Sequence, residues 1–314
     1  DHPLIVHVAN ACGVAHFAVD VPDFATQLMS AFWPGPLTLI LPRRPGVATA
    51  AAGGHTTVGV RCPAHPVAQA LLQTLVAVDT AMASRALPST ESAVQYGGVA
   101  GAASSENRRV WGVAAPSANH FGRVSPTTAA HVQTEFGDDL LILDGGPCSV
   151  GIESTIIDCS RGVPVLLRPG AITPAQVHAV CGLRVLQKEE LSVQSAPAPK
   201  ASGTLESHYA PKARVRLMDA GDLQTALNRL GLDPSQASGR AGVLLAVWAR
   251  AALAVPKQGV VCLPMPQDAE TAARQLFARL RDFDAQGMSQ IWVETPPDVP
   301  AWDGVRDRLL RASS

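Results

Sequence analysis

The residues in this chain that could do chemistry are arginines and small hydroxyl residues, with no obvious nucleophile among them. Arg61 closes the apolar run Thr57-Val58-Gly59-Val60, and Arg168 closes Val163-Pro164-Val165-Leu166-Leu167. A guanidinium whose stem is anchored at a strand end suits two-pronged capture of a carboxylate or phosphate. Two polar stretches accompany them. One is Ala115-Pro116-Ser117-Ala118-Asn119, followed by Gly122-Arg123-Val124-Ser125-Pro126-Thr127-Thr128. The other is Asp144-Gly145-Gly146-Pro147, followed by Gly151-Ile152-Glu153-Ser154-Thr155. Hydroxyls bind phosphate oxygens, and glycine lets backbone approach an anion closely. Ser125-Pro126-Thr127-Thr128 also reads as a helix N-terminus, whose free N–H groups favour negative charge. Taken alone, the first stretch reads better as a capped turn, the second as a tight hairpin-like connection, and each Arg as a surface ion pair. Two such arginines beside two hydroxyl-rich loops favour a site for a polyanionic ligand.

Other chemistries find little support. The second glycine loop lacks the Gly-Lys-Ser/Thr of a phosphate-binding loop and the three-glycine spacing of a dinucleotide fingerprint. No Ser-His-Asp, Cys-His or metal-ligand spacing stands out. His7 sits in an apolar run and reads most simply as a core histidine. In His208-Tyr209-Ala210-Pro211, which follows a polar linker, Tyr209 is either a lid residue that stacks on a base or an anchor for a domain junction. The six cysteines (Cys12, Cys62, Cys148, Cys159, Cys181, Cys262) are scattered without a Cys-x-x-Cys pair. That argues against a zinc ribbon and a disulfide scaffold, and for reduced thiols in a cytoplasmic protein.

The elements that must position these residues are strands mixed with helices. The chain has 314 residues, 47% hydrophobic and 16% charged, enough apolar content for a real core. With 25 basic against 26 acidic residues it has no nucleic-acid arm. The longest apolar stretch, 241–255, is broken by Arg250, so no membrane span is expected. Asp1-His2-Pro3-Leu4 does not read as a leader, and a strand beginning at Leu4 suggests that the natural N-terminus lies upstream. Strands are expected at 4–8, 37–41, 57–61, 140–144, 155–158 and 163–167, with a helix at 67–76 opened by Pro66. Residues 79–110, rich in Ala, Ser and Gly, read as an insertion or long surface loop. Residues 188–207 read as a linker. Beyond it, strands at 215–218, 242–248, 260–263 and 291–294 alternate with helices at 223–230, 269–283 and 305–310, which suggests a small parallel sheet. Ala273, Leu276, Phe277, Leu280 and Phe283 form the apolar stripe of the longest of these helices. The fold class is α/β.

Seven segments in order resemble the threonylcarbamoyl-AMP synthase family in its long form, which joins a YrdC-like catalytic domain to a C-terminal domain. They are His2-Pro3-Leu4-Ile5-Val6-His7-Val8, Phe32-Trp33-Pro34-Gly35-Pro36-Leu37-Thr38, Thr57-Val58-Gly59-Val60-Arg61-Cys62-Pro63, 114–119 with Ser125-Pro126-Thr127, Gly151-Ile152-Glu153-Ser154-Thr155, Leu167-Arg168-Pro169-Gly170, and His208-Tyr209-Ala210-Pro211. The helix at 274–283 and the Asp307-Arg308-Leu309 ending are similar to the family's C-terminal domain. The resemblance implies a YrdC-like twisted, mixed, open sheet over 1–187, a linker or lid over 188–212, and a smaller Rossmann-like α/β domain over 213–314.

The activity so implied is a nucleotidyltransferase. It condenses L-threonine, bicarbonate and ATP, with magnesium, to threonylcarbamoyl-AMP and pyrophosphate. A separate tRNA threonylcarbamoyl transferase then uses the adenylate at adenosine 37 of tRNA, and contact of the surface with tRNA or double-stranded RNA is part of the same implication. Carried over by motif, His7, Arg61, Ala115 (through its backbone) and Ser154 hold threonine. Thr57, Ser117, Ser125, Arg168 and Tyr209 hold ATP. No residue is assigned to the metal and none as a covalent catalyst, since the mechanism is one of positioning. The family's Lys-x-Arg phosphate-binding motif would lie before Asp1. The competing reading is a YrdC-like protein that binds nucleotide or RNA without catalysis. A carbamoyl-phosphate-using maturation module is set aside for want of zinc-finger cysteines.

Overall fold

A computed structural model describes residues 3–85, 110–191, 199, 209–232, 244–256 and 259–314. The leading part contains β1 (Ile5–His7), α1 (Val14–Phe17), α2 (Asp23–Phe32), β2 (Leu37–Pro42), β3 (Thr57–Arg61), α3 (Pro66–Arg85), β4 (Val113–Ala115), α4 (Ala129–Phe136), β5 (Thr155–Asp158), β6 (Val165–Arg168), α5 (Pro174–Cys181) and β7 (Leu186–Gln187). Its seven strands form one mixed sheet in the order β4-β1-β3-β2-β5-β6-β7. The trailing part contains β8 (Arg214–Met218), α6 (Ala220–Leu232), β9 (Leu245–Ala249), β10 (Val260–Pro264), α7 (Ala269–Ala285), β11 (Gln290–Glu294) and α8 (Asp303–Ala312). Its four strands form a second sheet, β10-β9-β11-β8, in which every pair is parallel.

Side-chain alternation gives the leading sheet two unlike faces. Val6, Leu37, Leu39, Leu41, Val58, Val60, Ile157 and Leu166 point to one face and are packed under Phe24, Leu28 and Met29 of α2 and Val177 of α5. The opposite face carries Ile40, Ile156, Val165 and Leu167, with Ile5 at the margin. On that face β3 presents Thr57, Gly59 and Arg61. A Cβ at Gly59 would come within 3.2 Å of Ile40 Cδ1 and 3.5 Å of Ile5 Cγ1. Gly59 is buried, and its missing side chain makes room for those of Ile40 and Ile5.

The trailing sheet is covered on both sides. Leu223 and Leu227 of α6 meet Leu245, Val247 and Ala249. Ala246 and Trp248 face the α7 stripe of Ala273, Leu276, Phe277, Leu280 and Phe283, all buried as the helical spacing predicts. The two parts meet closely. Gly151 (φ +84°) sits where a Cβ would lie 2.4 Å from the Ala273 carbonyl oxygen. A Cβ on Gly304 of α8 would lie 2.8 Å from Ile152 Cδ1.

Three expectations need correction. The apolar run 140–144 is not a strand: it has no regular structure, and Leu141 is 87% exposed. A strand needs a partner with a free edge, and both edges of β5, the strand that follows, are taken by β2 and β6. The glycine loop after it is therefore no hairpin connection. The stretch 79–110 does not begin as a loop, because α3 continues through Arg85. Residues 79–85 hold no Gly or Pro, and Ala, Met and Arg favour a continuing helix. The remainder of that stretch, 86–109, lies outside the described residues, as do His208 and most of the linker. The linker's first residues, Lys188–Glu190, form a single helical turn.

Candidate functional site

The site is built across one row of the leading sheet. His7 pairs with Arg61 across β1 and β3, and with Val113 across β1 and β4. Continuing the β2–β3 register past Leu39 and Val60 brings Thr38 beside Arg61. Thr38 pairs with Ile156, and Ile156 with Arg168. Between Ile156 and Ile157 the β5–β6 register shifts, a bulge that turns Arg168 toward the row. Five strands thus place His7, Arg61, Thr38 and Arg168 along one line.

Each member is held by specific bonds. Arg61 Nε donates to the Gly35 carbonyl at 3.0 Å, and Gly35 N–H donates to the Cys62 carbonyl at 2.9 Å. Trp33 Nε1 donates to the Leu37 carbonyl at 2.8 Å, which fixes the Trp33-Pro34-Gly35-Pro36 turn against the end of β2. Among the described residues nothing accepts from the terminal nitrogens of Arg61, so its fork remains for a ligand. The hydroxyls of Thr38 and Ser154 lie 2.7 Å apart. Arg168 donates to the Ser154 carbonyl from Nε (3.1 Å) and Nη2 (2.9 Å), and from Nη2 to the Ser154 hydroxyl (3.2 Å).

Burial and like charge set the electrostatics. Burial, and then the nearby Arg168, lower the Arg61 pKa to about 10, so the side chain stays cationic at neutral pH. Arg168 is lowered too, mainly by burial. Two crowded guanidiniums make the row attractive to an anion. Burial, followed by the Arg61 charge, pulls His7 down to about 4, against the backbone of Val113 and Ile5. The ring is therefore neutral at pH 7, and its buried Nδ1 has no hydrogen-bond partner among the described residues. A core histidine that satisfied both nitrogens would not leave that atom open.

The remaining expected residues fall into two groups. Ser125 is buried, and its hydroxyl donates to Glu153 Oε1 at 2.6 Å. The helix-start reading of the same segment holds, since Thr128 caps α4 by accepting from His131 N–H. Tyr209 is 1% exposed, its ring 5.1 Å from that of Phe277 and beneath the Arg308 guanidinium at 5.6 Å. It therefore takes the anchoring alternative, with the following Ala210 N–H bonded to the Gly122 carbonyl at 2.9 Å. Ala115 shares the face of Ile5, its partner across β1 and β4. Thr57 opens β3 four residues before Arg61, which is roughly 13 Å along the strand. Ser117, exposed, leaves β4 toward that same end of the sheet.

Three contributors carry no role in the sequence-based reading: Thr38, Glu153 and Arg308. Thr38 is a fully buried hydroxyl within Leu37-Thr38-Leu39-Ile40-Leu41, and a polar residue inside an aliphatic strand must find a partner. Arg308 lies on the buried stripe of α8 with Val305, Leu309 and Ala312, and a charge on such a stripe is the corresponding signal. Among the described residues no three His, Cys, Asp or Glu side chains are grouped to hold a metal ion. Glu153, the carboxylate of the site, is bonded to Ser125 and Arg308. A magnesium ion finds no cage of protein ligands among the described residues.

Comparison with known proteins agrees with this architecture. The family model Sua5_yciO_yrdC, described as telomere recombination, matches residues 1–170. The model Sua5_C, described as the threonylcarbamoyl-AMP synthase C-terminal domain, matches residues 172–314. The threonylcarbamoyl-AMP synthase of Bacillus subtilis is 33% identical over 321 residues, covering 100% of this chain and 80% of that protein. The Pyrococcus abyssi enzyme of the same name is 31% identical over 316 residues, with the same coverage. The crystal structure of P. abyssi Sua5 complexed with L-threonine superposes with a TM-score of 0.74 at 30% identity, covering 99% of this chain and 80% of that one. Matched along its whole length by the family's two models, the chain belongs to the threonylcarbamoyl-AMP synthase family.

Proposed function

We propose that the protein condenses L-threonine, bicarbonate and ATP to threonylcarbamoyl-AMP, releasing pyrophosphate and water. It thereby acts as a nucleotidyltransferase in the cytoplasm. The observation that carries the reading is the single row of His7, Arg61, Thr38 and Arg168, with Ser154 bonded to the last two. The threonine-bound structure of the P. abyssi relative supports threonine as the amino acid.

Threonine's carboxylate meets the open fork of Arg61, a match of planar donors to planar acceptors. The neutral Nδ1 of His7 accepts an N–H of the amine, which favours the uncharged, nucleophilic form. The amine nitrogen bonds to carbon dioxide derived from bicarbonate, loses a proton and becomes a carbamate. A carbamate oxygen attacks the α-phosphorus of ATP, and the bond to the β-phosphate oxygen breaks as pyrophosphate leaves. Both reactants are anions, so the work of the site is to hold them in line and offset their repulsion. Arg168, with the hydroxyls of Ser154 and Ser125 nearby, is placed at the junction of the two substrates. The nucleotide extends along this face toward Thr57 and Ser117. Ala115 holds threonine through its backbone, and Tyr209 anchors the linker segment. Residues 1–187 then form the catalytic domain, 188–212 the linker and 213–314 the C-terminal domain. A tRNA threonylcarbamoyl transferase consumes the adenylate at adenosine 37.

The test is threonine-dependent release of pyrophosphate from ATP by the full natural protein. Arg61→Ala abolishes it, with threonine binding lost in calorimetry. Release at the unsubstituted rate would remove Arg61 from the threonine subsite and the reading with it.

A further inference from the structure

Arg308 is a fully buried arginine on α8, distant in sequence from every residue of the row. Its guanidinium reaches the leading sheet in three directions. Nε donates to Glu153 Oε2 at 3.0 Å, Nη2 to the Glu153 carbonyl at 3.3 Å and Nη1 to the Pro169 carbonyl at 2.6 Å. Nη1 also donates to Asp307 Oδ2 at 2.9 Å, and Asp307 is braced in turn by Arg311 at 3.0 Å. Glu153 directly precedes Ser154, and Pro169 directly follows Arg168. Ser154 and Arg168 are themselves bonded. One guanidinium therefore holds the chain neighbours of both members of that pair.

We propose that Arg308 is a positioning residue: the trailing part of the molecule supplies the brace that sets Ser154 and Arg168 at their working separation. The ligands of those two residues rest on the function proposed above, whereas the brace itself does not. Its geometry needs the planar fork. Lysine would keep the charge, but its single ammonium cannot donate along three fixed directions. The charges around Glu153 fit the same picture. Arg308 faces it from α8, Arg168 from β6, Tyr209 from the linker's end and Cys148 from its own loop, while Asp307 acts on Arg308 and Tyr209. Burial pushes the Glu153 carboxyl up, but Arg308, then Arg168 and the Ser125 hydroxyl, outweigh it and keep it ionised.

The experiment uses Arg308→Lys in the full natural protein, with Leu310→Ser, an exposed position of the same helix, as control. Amide hydrogen exchange of the substrate-free protein is followed at 151–156 and 168–172. The expected result is faster exchange at both segments in Arg308→Lys and none in Leu310→Ser. Losing charge-assisted bonds of this kind should raise KM for threonine and ATP by about tenfold, with a smaller fall in kcat. Should Arg308→Lys fail to fold, Asp307→Asn, which loosens Arg308 without removing it, gives the same changes at smaller size. Unaltered exchange and KM in a folded variant overturn the brace. If exchange responds but the unsubstituted protein releases no pyrophosphate with threonine, the function fails and the brace stands.

Discussion

The two sheets of this protein solve opposite problems. In the trailing sheet every pairing is parallel, all five residues of β9 are buried, and apolar helices cover both faces. In the leading sheet one face is equally well packed, while the other carries an arginine, a histidine with an open nitrogen and a buried hydroxyl pair. Unpaired polar groups are costly in a low-dielectric setting, and the leading sheet tolerates them on the face where a ligand can complete them. Under the proposed function, ligand binding falls to that face of the leading sheet, whereas the trailing sheet is packed on both of its faces.

That division can be broken most severely at Phe277, a fully buried aromatic of α7. Phe277→Ala should cost about 3–5 kcal/mol in chemical unfolding, and the loss should extend to Tyr209, whose ring it supports. A cost under 1 kcal/mol would show that the trailing core is not the stabilising one. The next effect is electrostatic. Folding holds His7 near 4, below its ordinary 6.5, so the unfolded chain binds the extra proton first. Its contribution is complete above pH 6.5 and drains as the pH falls toward 4, by about 3 kcal/mol. His7→Gln should flatten that acid limb, and an unchanged limb would place the responsible group elsewhere.

Two smaller changes sharpen the contrast on the reactive face. Gly59→Val crowds Ile40 and Ile5, at roughly 1–3 kcal/mol, and the displaced side chains should weaken nucleotide binding more than threonine binding. Equal loss of both would mean that the nucleotide does not run along this face. Thr38→Val keeps the shape of a buried strand position and should change stability by only about 1 kcal/mol. Threonine affinity should nevertheless fall, because Ser154 loses the hydroxyl 2.7 Å away that orients it. Calorimetric titration with threonine distinguishes this from a neutral substitution.

Much of this was readable from the sequence, for physical reasons that also explain the failures. Leu37 to Leu41 and Leu245 to Ala249 are strands because unbroken apolar runs suit positions buried on both sides. Leu140 to Asp144 has the same pattern and is no strand, because pattern does not supply a partner edge. Arg61 and Arg168 stood out as cations ending apolar runs; Arg168 proves buried and Arg61 half-buried. What no local pattern could supply was the meeting of Thr38 with Ser154, 116 residues apart, or of Arg308 with Glu153, 155 apart. Those contacts are products of strand order and of the docking of α8. Strand order is the slowest thing to infer from spacing alone, because parallel neighbours are joined through long crossovers.

Gly151 and Gly304 lie on opposite sides of the seam between the parts, Gly151 against Ala273 and Gly304 against Ile152, each where a methyl group would collide with the other side. Such a seam tolerates no independent tailoring of its halves. A hybrid grafting the tail of one relative onto the head of another would need both glycines, together with the Arg308–Glu153 match, to close. A cut point between 151 and 304 separates these matched partners, so a recombinant chain has to restore all of them at once.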